Sequence, residues 1–306
     1  MTVVALRELP ASDSASLRAL LDRAAAALRH PALPEPQLLA VTHHGEAPAG
    51  ERIVLARDSD GKELAGCAFL SPARDGSTVL HLAVDPAQAG SGLETALLRR
   101  AVQEVPAGSP VHLWVMQATP ADDDRAAAEG FVSERDLLQM RVPLPLAADV
   151  VTATRPLVTR AFVPGRDEEA WVDTNNRAFA NHPEQGGWTV AQLHERMAAD
   201  WVDLDSFLVA DDPDGPGLIG ACWTKIHRAA EPVLGEIYVI DVDPRHHGRG
   251  WGRSLTVAGL VYLAGQGITV GMLYTDADNV AAVALYRSLG FTVDHVDRSY
   301  RNAPLS

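Results

Sequence analysis

The chain repeats itself. Residues 65–71 (AGCAFLS), 79–102 (VLHLAVDPAQAGSGLETALLRRAV), 111–116 (VHLWVM) and 126–142 (AAAEGFVSERDLLQMRV) are echoed in order by four later segments. These are 219–226 (IGACWTKI), 234–260 (LGEIYVIDVDPRHHGRGWGRSLTVAGL), 269–275 (TVGMLYT) and 283–301 (VALYRSLGFTVDHVDRSYR). Internal repetition constrains architecture before any motif does, because each copy must form the same supersecondary unit. Each copy reads strand, strand ending in Val-Asp-Pro, Gly-rich turn, helix, strand, helix, Gly-Phe, strand. Such alternation predicts an α/β sheet with helical crossovers, preceded in the first copy by a helix over about 13–29. The Pro-rich segment 143–156 reads as the connection. The division is therefore a first domain over 1–145, a linker over 146–156 and a second domain over 157–306. At 306 residues, each half is long enough to bury its own core.

Composition narrows the function classes. A formal charge of −14 argues against a general nucleic-acid binder and suits a cationic or amine-bearing small substrate. No apolar run approaches membrane-spanning length and the N-terminus has no signal pattern, so a cytoplasmic protein is expected. Cys67 and Cys222 are far apart and sit in apolar runs, which predicts two buried free thiols rather than a disulfide. His43-His44 and His246-His247 lack a third ligand and read as loop histidines, so no metal is expected. Asp122-Asp123-Asp124 reads as a helix N-terminus or a solvated acidic run.

The sharpest local signal lies at 242–253. A β-branched strand runs into Arg245-His246-His247-Gly248-Arg249-Gly250-Trp251-Gly252-Arg253, and a helix follows. Glycines let a backbone approach an anion closely, and a helix N-terminus presents unpaired N–H groups with a favourable dipole. Arg249 and Arg253 either add charge for phosphates or are merely solvated. The glycines do not follow the dinucleotide spacing, and no acidic residue closes a strand about 20 residues later, so a pyrophosphate turn is the better reading.

Arg245 to Gly250 matches the Q/R-x-x-G-x-G/A signature of the GNAT acetyltransferases, and the chain resembles that family. Asn279, Tyr286, Gly290 and Phe291 fit its second feature, an Asn at a strand end followed by a helix bearing Tyr and then Gly-Phe. The resemblance implies two tandem GNAT domains, each a mixed, mostly antiparallel sheet flanked by helices, and acetyl-CoA as co-substrate. It places acetyl-CoA against Ile240, Asp241 and Val242, against the turn His247, Gly248, Arg249, Gly250, Trp251, Gly252 and Arg253, and against Asn279, Val280, Ala281, Ala282, Val283 and Ala284. The likeness narrows at 175–179 (NNRAF), 182–188 (HPEQGGW), Trp223-Thr224-Lys225 and 235–239 (GEIYV). These segments are similar to an actinobacterial branch of tandem GNAT enzymes that acetylates the cysteinyl amine of cysteinyl-glucosaminyl-inositol.

That likeness implies roles. A cysteinyl α-amine titrates near ~7.7, so a modest base suffices; Glu236 is expected to be that base and an acceptor contact, with a solvated strand carboxylate as its alternative. Tyr286 is expected to protonate the departing CoA sulfur, its alternative being a core tyrosine. Glu184, Lys225, Tyr274 and Glu35 are expected to contact the acceptor. In the first copy, the turn aligned as Ala89-Gly90-Ser91-Gly92-Leu93-Glu94 keeps the central Gly92. It has Ala in place of the leading Arg and Glu94 in place of the final Gly, where it opposes a pyrophosphate. Thr119 and Ala126 replace Asn279 and Tyr286. This copy is therefore expected not to catalyse, although the family's first domain holds acetyl-CoA through residues matching Leu82, Ala83, Val84, Gly90, Ser91, Gly92, Leu93, Glu94 and Thr95. A monomer is expected. Acetylation of another small amine or a protein N-terminus, and non-catalytic sensing of acetyl-CoA, stay open as alternatives.

Overall fold

A computed structural model describes residues 2–6, 11–28, 30–34, 37–38, 51–58, 60–73, 75–180 and 186–302. Glu35, His43, His44 and Glu184 lie outside the described residues. The first half of the chain runs β1 (Thr2–Leu6), α1 (Ala11–Leu28), β2 (Arg52–Arg57), β3 (Leu64–Pro72), β4 (Thr78–Val84), α2 (Leu93–Val102), β5 (Val111–Val115), α3 (Pro120–Ala128) and β6 (Phe131–Pro143). The rest runs α4 (Ala148–Thr152), β7 (Arg160–Ala161), α5 (Glu168–Ala178), α6 (Val190–Met197), β8 (Phe207–Asp211), β9 (Leu218–His227), β10 (Leu234–Val242), α7 (Trp251–Gly265), β11 (Val270–Asp276), α8 (Val280–Ser288) and β12 (Thr292–Asn302).

The fold is a mixed α/β architecture in two compact units. Unit 1 comprises residues 1–137 together with 295–306, and unit 2 comprises 138–294. In unit 1 the strand order is β1-β2-β3-β4-β5-β12, antiparallel except for the β4–β5 pair. Alternation along β2 sorts its apolar residues to two faces. Ile53 and Leu55 pack with Leu17, Leu20 and Leu21 of α1, whereas Val54 and Ala56 pack with Leu93, Leu97 and Leu98 of α2. In unit 2 the order is β6-β11-β10-β9-β8-β7; β10 and β11 pair in parallel, and β10–β9, β9–β8 and β8–β7 are antiparallel. One face carries an aromatic core in which Phe207 and Trp223 stack at 4.4 Å and Trp171 of α5 meets Trp223 at 6.3 Å. The other face takes α7, which comes close because position 259 is glycine: a Cβ there would lie 2.5 Å from Cys222 Sγ. Both cysteines are free and fully buried, and burial pushes the Cys67 thiol up to about 12.

The repeat marks the two copies along the chain, but the compact units are cut differently, because each takes its closing strand from the other copy. In unit 1, β5 pairs with the last strand of the chain, Arg298↔Val115 through Arg301↔His112. Arg298 there binds Asp136 and Asp123, and the Tyr300 hydroxyl donates to Asp123 at 2.8 Å. Asp122 closes a capping box with Thr119, so the acidic run is a helix N-terminus. In unit 2, the end of β6 lies beside β11, with Leu144 N donating to Thr269 O and Val142 packed against Gly271. The segment after β6 is not bare linker: it forms the short α4 and then packs through Thr154 and Arg155 onto α7.

The structure also corrects the register of the first copy's turn. Gly92 caps α2 at φ 84, ψ 5, and Gly250 caps α7 at φ 84, ψ 4. Asp85 and Asp243 start the preceding 3-10 turns at φ −58, ψ 128 and φ −53, ψ 129. Gly90 and Gly92 therefore correspond to Gly248 and Gly250, Ala87 to Arg245, and Glu94 to Gly252. Both glycines of the signature are retained, because the left-handed backbone at each is one that only glycine adopts without cost.

Candidate active site

The site begins where two parallel strands part. The register of β10 and β11 runs Leu234↔Val270, Gly235↔Gly271 and Glu236↔Met272, and ends there although both strands continue. Ile237–Val242, six residues, thus carry a backbone edge not paired with β11. A bulge between Ile237 and Val239 in the β9–β10 pairing adds Tyr238 as an extra residue and bends the strand at this point. In the first copy, β4 and β5 stay paired for four rungs up to His81↔Trp114, which leaves three residues, Leu82–Val84, and the β3–β4 register has no bulge.

At the far end of the open edge sits the turn. The carboxylate of Asp243 accepts from its own turn at Arg245 N (2.9 Å) and from the side chains of Arg245 and Arg177. Burial alone would raise Asp243, but these partners hold it far below the usual carboxylate range. Arg245, the leading residue of the signature, is thus spent on shaping the turn. Gly248 and Gly250, at φ 72 and 84, face open space. The first N–H groups of α7, at Trp251, Gly252 and Arg253, are the ones a helix leaves without intrahelical partners. Arg249 is exposed; Arg253 is tied to Thr154 Oγ1 at 3.2 Å and Ser288 Oγ at 2.8 Å; His247 Nε2 lies 3.0 Å from Val242 O. Across the opening, Asn279 caps α8 by accepting from Ala282 N at 3.1 Å, and Val280 is 73% exposed. Ala281 and Ala284 are exposed and Ala282 half-buried, while Val283 faces the core. An open strand edge, a glycine turn facing space and a helix N-terminus fit an extended thiol ester with a pyrophosphate at one end.

Two candidate catalytic groups lie on opposite faces of this opening. Ile237 reaches toward Gly259 of α7, so its neighbour Glu236 points the other way. There Oε2 of Glu236 lies 2.7 Å from His227 Nε2, and the glutamate is 8% exposed. Lys225 stands opposite Glu236 in the β9–β10 register, its Nζ 4.5 Å from the Trp201 ring and 5.4 Å from Tyr238. Tyr274 follows two residues after Met272, the parallel partner of Glu236, and so shares that face. Glu236, Lys225 and Tyr274 thus share one face of the sheet. Tyr286 lies on the α7 side, buried near Cys222, and desolvation pushes its phenol up to about 12. Asp241 presents only backbone to the opening; its side chain is 2% exposed and accepts from Trp171 Nε1 at 3.0 Å.

Four residues that the sequence did not single out belong here. His227 pairs with Glu236, and strand alternation from Lys225 was the signal that pointed to it. Gln139 and Arg141 arrive from β6, for which nothing local is a signal. Arg155 lies over the Trp251 ring. The segment 175–179 acts through scaffolding: Asn176 exchanges two bonds of 2.8 Å with the backbone of Trp188, and Arg177 binds Asp243. Among the described residues, no three His, Cys, Asp or Glu side chains are placed to hold a metal ion, and no helix is long and apolar enough to cross a membrane.

Comparison with known proteins gives the family. Residues 169–291 match the model of the acetyltransferase (GNAT) family. Over 305 residues the chain is 43% identical to a mycothiol acetyltransferase of Thermobispora bispora, spanning 98% of this chain and 100% of that one. Over 315 residues it is 39% identical to a mycothiol acetyltransferase of Kocuria rhizophila, spanning 99% of each. Among solved structures, a related N-acetyltransferase of Sphaerobacter thermophilus gives a TM-score of 0.70 at 23% identity, covering 98% of this chain and 95% of that one. A tandem GNAT protein from the clavulanic acid pathway gives 0.67 at 17%, covering 98% of each. At these identities the structural likeness is one of fold.

Proposed function

We propose, from the premise that this chain belongs to the mycothiol acetyltransferase family of GNAT enzymes, that it acetylates the cysteinyl amine of cysteinyl-glucosaminyl-inositol at the opening in unit 2. The observation that carries this reading is the parting of β10 from β11 directly beyond Glu236, with the glycine turn at the other end of the open edge.

Acetyl-CoA supplies the acetyl group as an activated thioester. The backbone of Ile240 to Val242 lines its path, and the turn from His247 to Arg253 receives the pyrophosphate on N–H groups and positive charge. Asn279 to Ala284 form the opposite wall through their exposed members. Glu236, steadied by His227, takes a proton from the attacking amine, a light task for a group whose reference value is near ~7.7. Tyr286 stays protonated across the physiological range, so it donates a hydrogen bond to sulfur as charge builds there and passes its proton as the thiol leaves. Glu236 takes the amine proton as the nitrogen adds to the thioester carbonyl, and Tyr286 protonates the sulfur as the C–S bond of the tetrahedral adduct breaks. Lys225 and Tyr274 hold oxygens of the acceptor. Unit 1 keeps the turn but lacks the bulge, the longer open edge and a tyrosine at the place of Tyr286, so its part is structural.

Mass spectrometry of the chain incubated with acetyl-CoA and cysteinyl-glucosaminyl-inositol tests the proposal. The expected product is the N-acetylated thiol, lost in Glu236→Gln. Release of CoA with other amines but no acetylation of this one would keep the family's chemistry and remove this acceptor.

A further inference from the structure

His246, the second residue of the turn signature, is buried, and its Nε2 lies 3.1 Å from Oδ2 of Asp212 in the loop between β8 and β9. The N–H of Asp214 donates to the same carboxylate at 3.0 Å. That bond, with the imidazole, holds Asp212 below its ordinary range, so the carboxylate accepts and Nε2 of His246 carries the proton. Arg245 meets the other end of this loop, where a Cβ on Gly217 would lie 3.9 Å from its Nη2. A buried histidine thus ties the glycine turn to the hairpin loop beside it.

The first copy shows that the tie does not make the turn. Asp58 N donates to Glu63 O, and Asp212 N to Gly217 O, both at 3.0 Å, so Asp58 stands where Asp212 does. Its carboxylate accepts from Lys62 N in its own loop. Gln88 takes the place of His246, and among the described residues its side chain has no hydrogen-bond partner. Gly92 and Gly250 nevertheless cap their helices at the same φ of 84. The turn keeps its shape without the tie, so the tie serves something other than folding the turn.

We infer that His246 is a positioning residue for the donor substrate: held by Asp212, it anchors the glycine turn so that its N–H groups are fixed before an anion arrives. The inference rests on reading this turn as the seat of the acetyl-CoA pyrophosphate. Binding an anion on loose backbone costs the entropy of ordering that backbone, and an anchored turn has met this cost on folding. The turn of the first copy lacks that advantage.

Calorimetry with acetyl-CoA and initial rates with cysteinyl-glucosaminyl-inositol test it in the full chain, comparing His246→Leu, Asp212→Asn and the double variant. His246→Leu is expected to raise both Kd and KM for acetyl-CoA about fivefold, with kcat and the acceptor KM within about twofold of the parent. Asp212→Asn keeps an acceptor for Asp214 N but loses the charge. It is expected to raise the acetyl-CoA Kd about two- to threefold alone and to add nothing in the His246→Leu background. S-acetylpantetheine has the thioester without the pyrophosphate, and its kcat/KM is expected to be the same in His246→Leu as in the parent. A merely structural role would lower the use of both donors alike, and that result overturns the inference. Failure of the parent to bind acetyl-CoA removes the reading of the turn, and the inference with it. An acetyl-CoA Kd equal in parent and His246→Leu overturns the inference and leaves that reading standing. Should His246→Leu not fold, Asp212→Asn decides alone, and an unchanged Kd there overturns the inference.

Discussion

The guanidinium of Arg155 lies 3.9 Å over the ring of Trp251, and its Nη1 donates to the carbonyl of Arg249 at 3.2 Å. The segment that joins the two copies thus clasps the glycine turn of the second from outside. Stacking a cation on an indole contributes about 0.5–2 kcal/mol. Arg155→Ala is expected to raise the acetyl-CoA KM about three- to tenfold while leaving the acceptor KM in place. Initial rates with each substrate varied in turn check this, and equal effects on both constants would contradict it.

His227 is the partner of the proposed base, so its loss should act on turnover rather than on donor affinity. His227→Ala is expected to lower kcat roughly tenfold or more, with acetyl-CoA binding by calorimetry unchanged. His227→Gln retains a donor for Glu236 and is expected to recover part of the loss.

Asp241 sets a pH dependence of stability. Desolvation, reinforced by the charge of Asp243 and opposed by the bond from Trp171, pushes its carboxyl up to about 8 from 3.8. Between roughly pH 4 and 8, the folded chain holds a proton that the unfolded chain has lost, so this group's contribution falls as pH rises through that window. Asp241→Asn keeps an oxygen for Trp171 and removes the titration. It is expected to stabilise the fold by on the order of 2 kcal/mol at pH 8.5 and by progressively less toward pH 4.5. Urea unfolding at the two pH values decides it: a gain independent of pH would show that the carboxyl is not the cause.

Gly92 and Gly250 share one backbone conformation, so alanine at either should cost similar stability, about 1–2 kcal/mol for the left-handed backbone. Only Gly250→Ala is expected to raise the acetyl-CoA KM of the reaction. A comparable rise in Gly92→Ala would assign the first turn a part in turnover.

Much of this was legible in the chain. Val-Asp-Pro followed by glycines gave both turns, and the Asn279 to Phe291 pattern gave α8 with its buried tyrosine, because these features are written locally. In the first turn, glycine spacing alone leaves the register open by two residues. Asp85 and Asp243, which start identical turns, were the better anchors. His227 was within reach of strand alternation combined with the β9–β10 hairpin register. Gln139 and Arg141 were not, since alternation tells which face a strand residue takes and never which strand lies beside it. The sequence also presents Asp241 as one more residue of the cofactor strand. Only the tertiary packing shows its carboxyl turned back onto Trp171.

The exchange of closing strands also bears on how the protein is made. A ribosome delivers β5 some 180 residues before the strand that pairs with it, so the first unit stays open-edged until that strand has been made. Such an edge is a template for wrong partners while it waits. A premature stop anywhere before about residue 295 therefore removes more than the end of the second copy, because it deprives the first unit of its sixth strand.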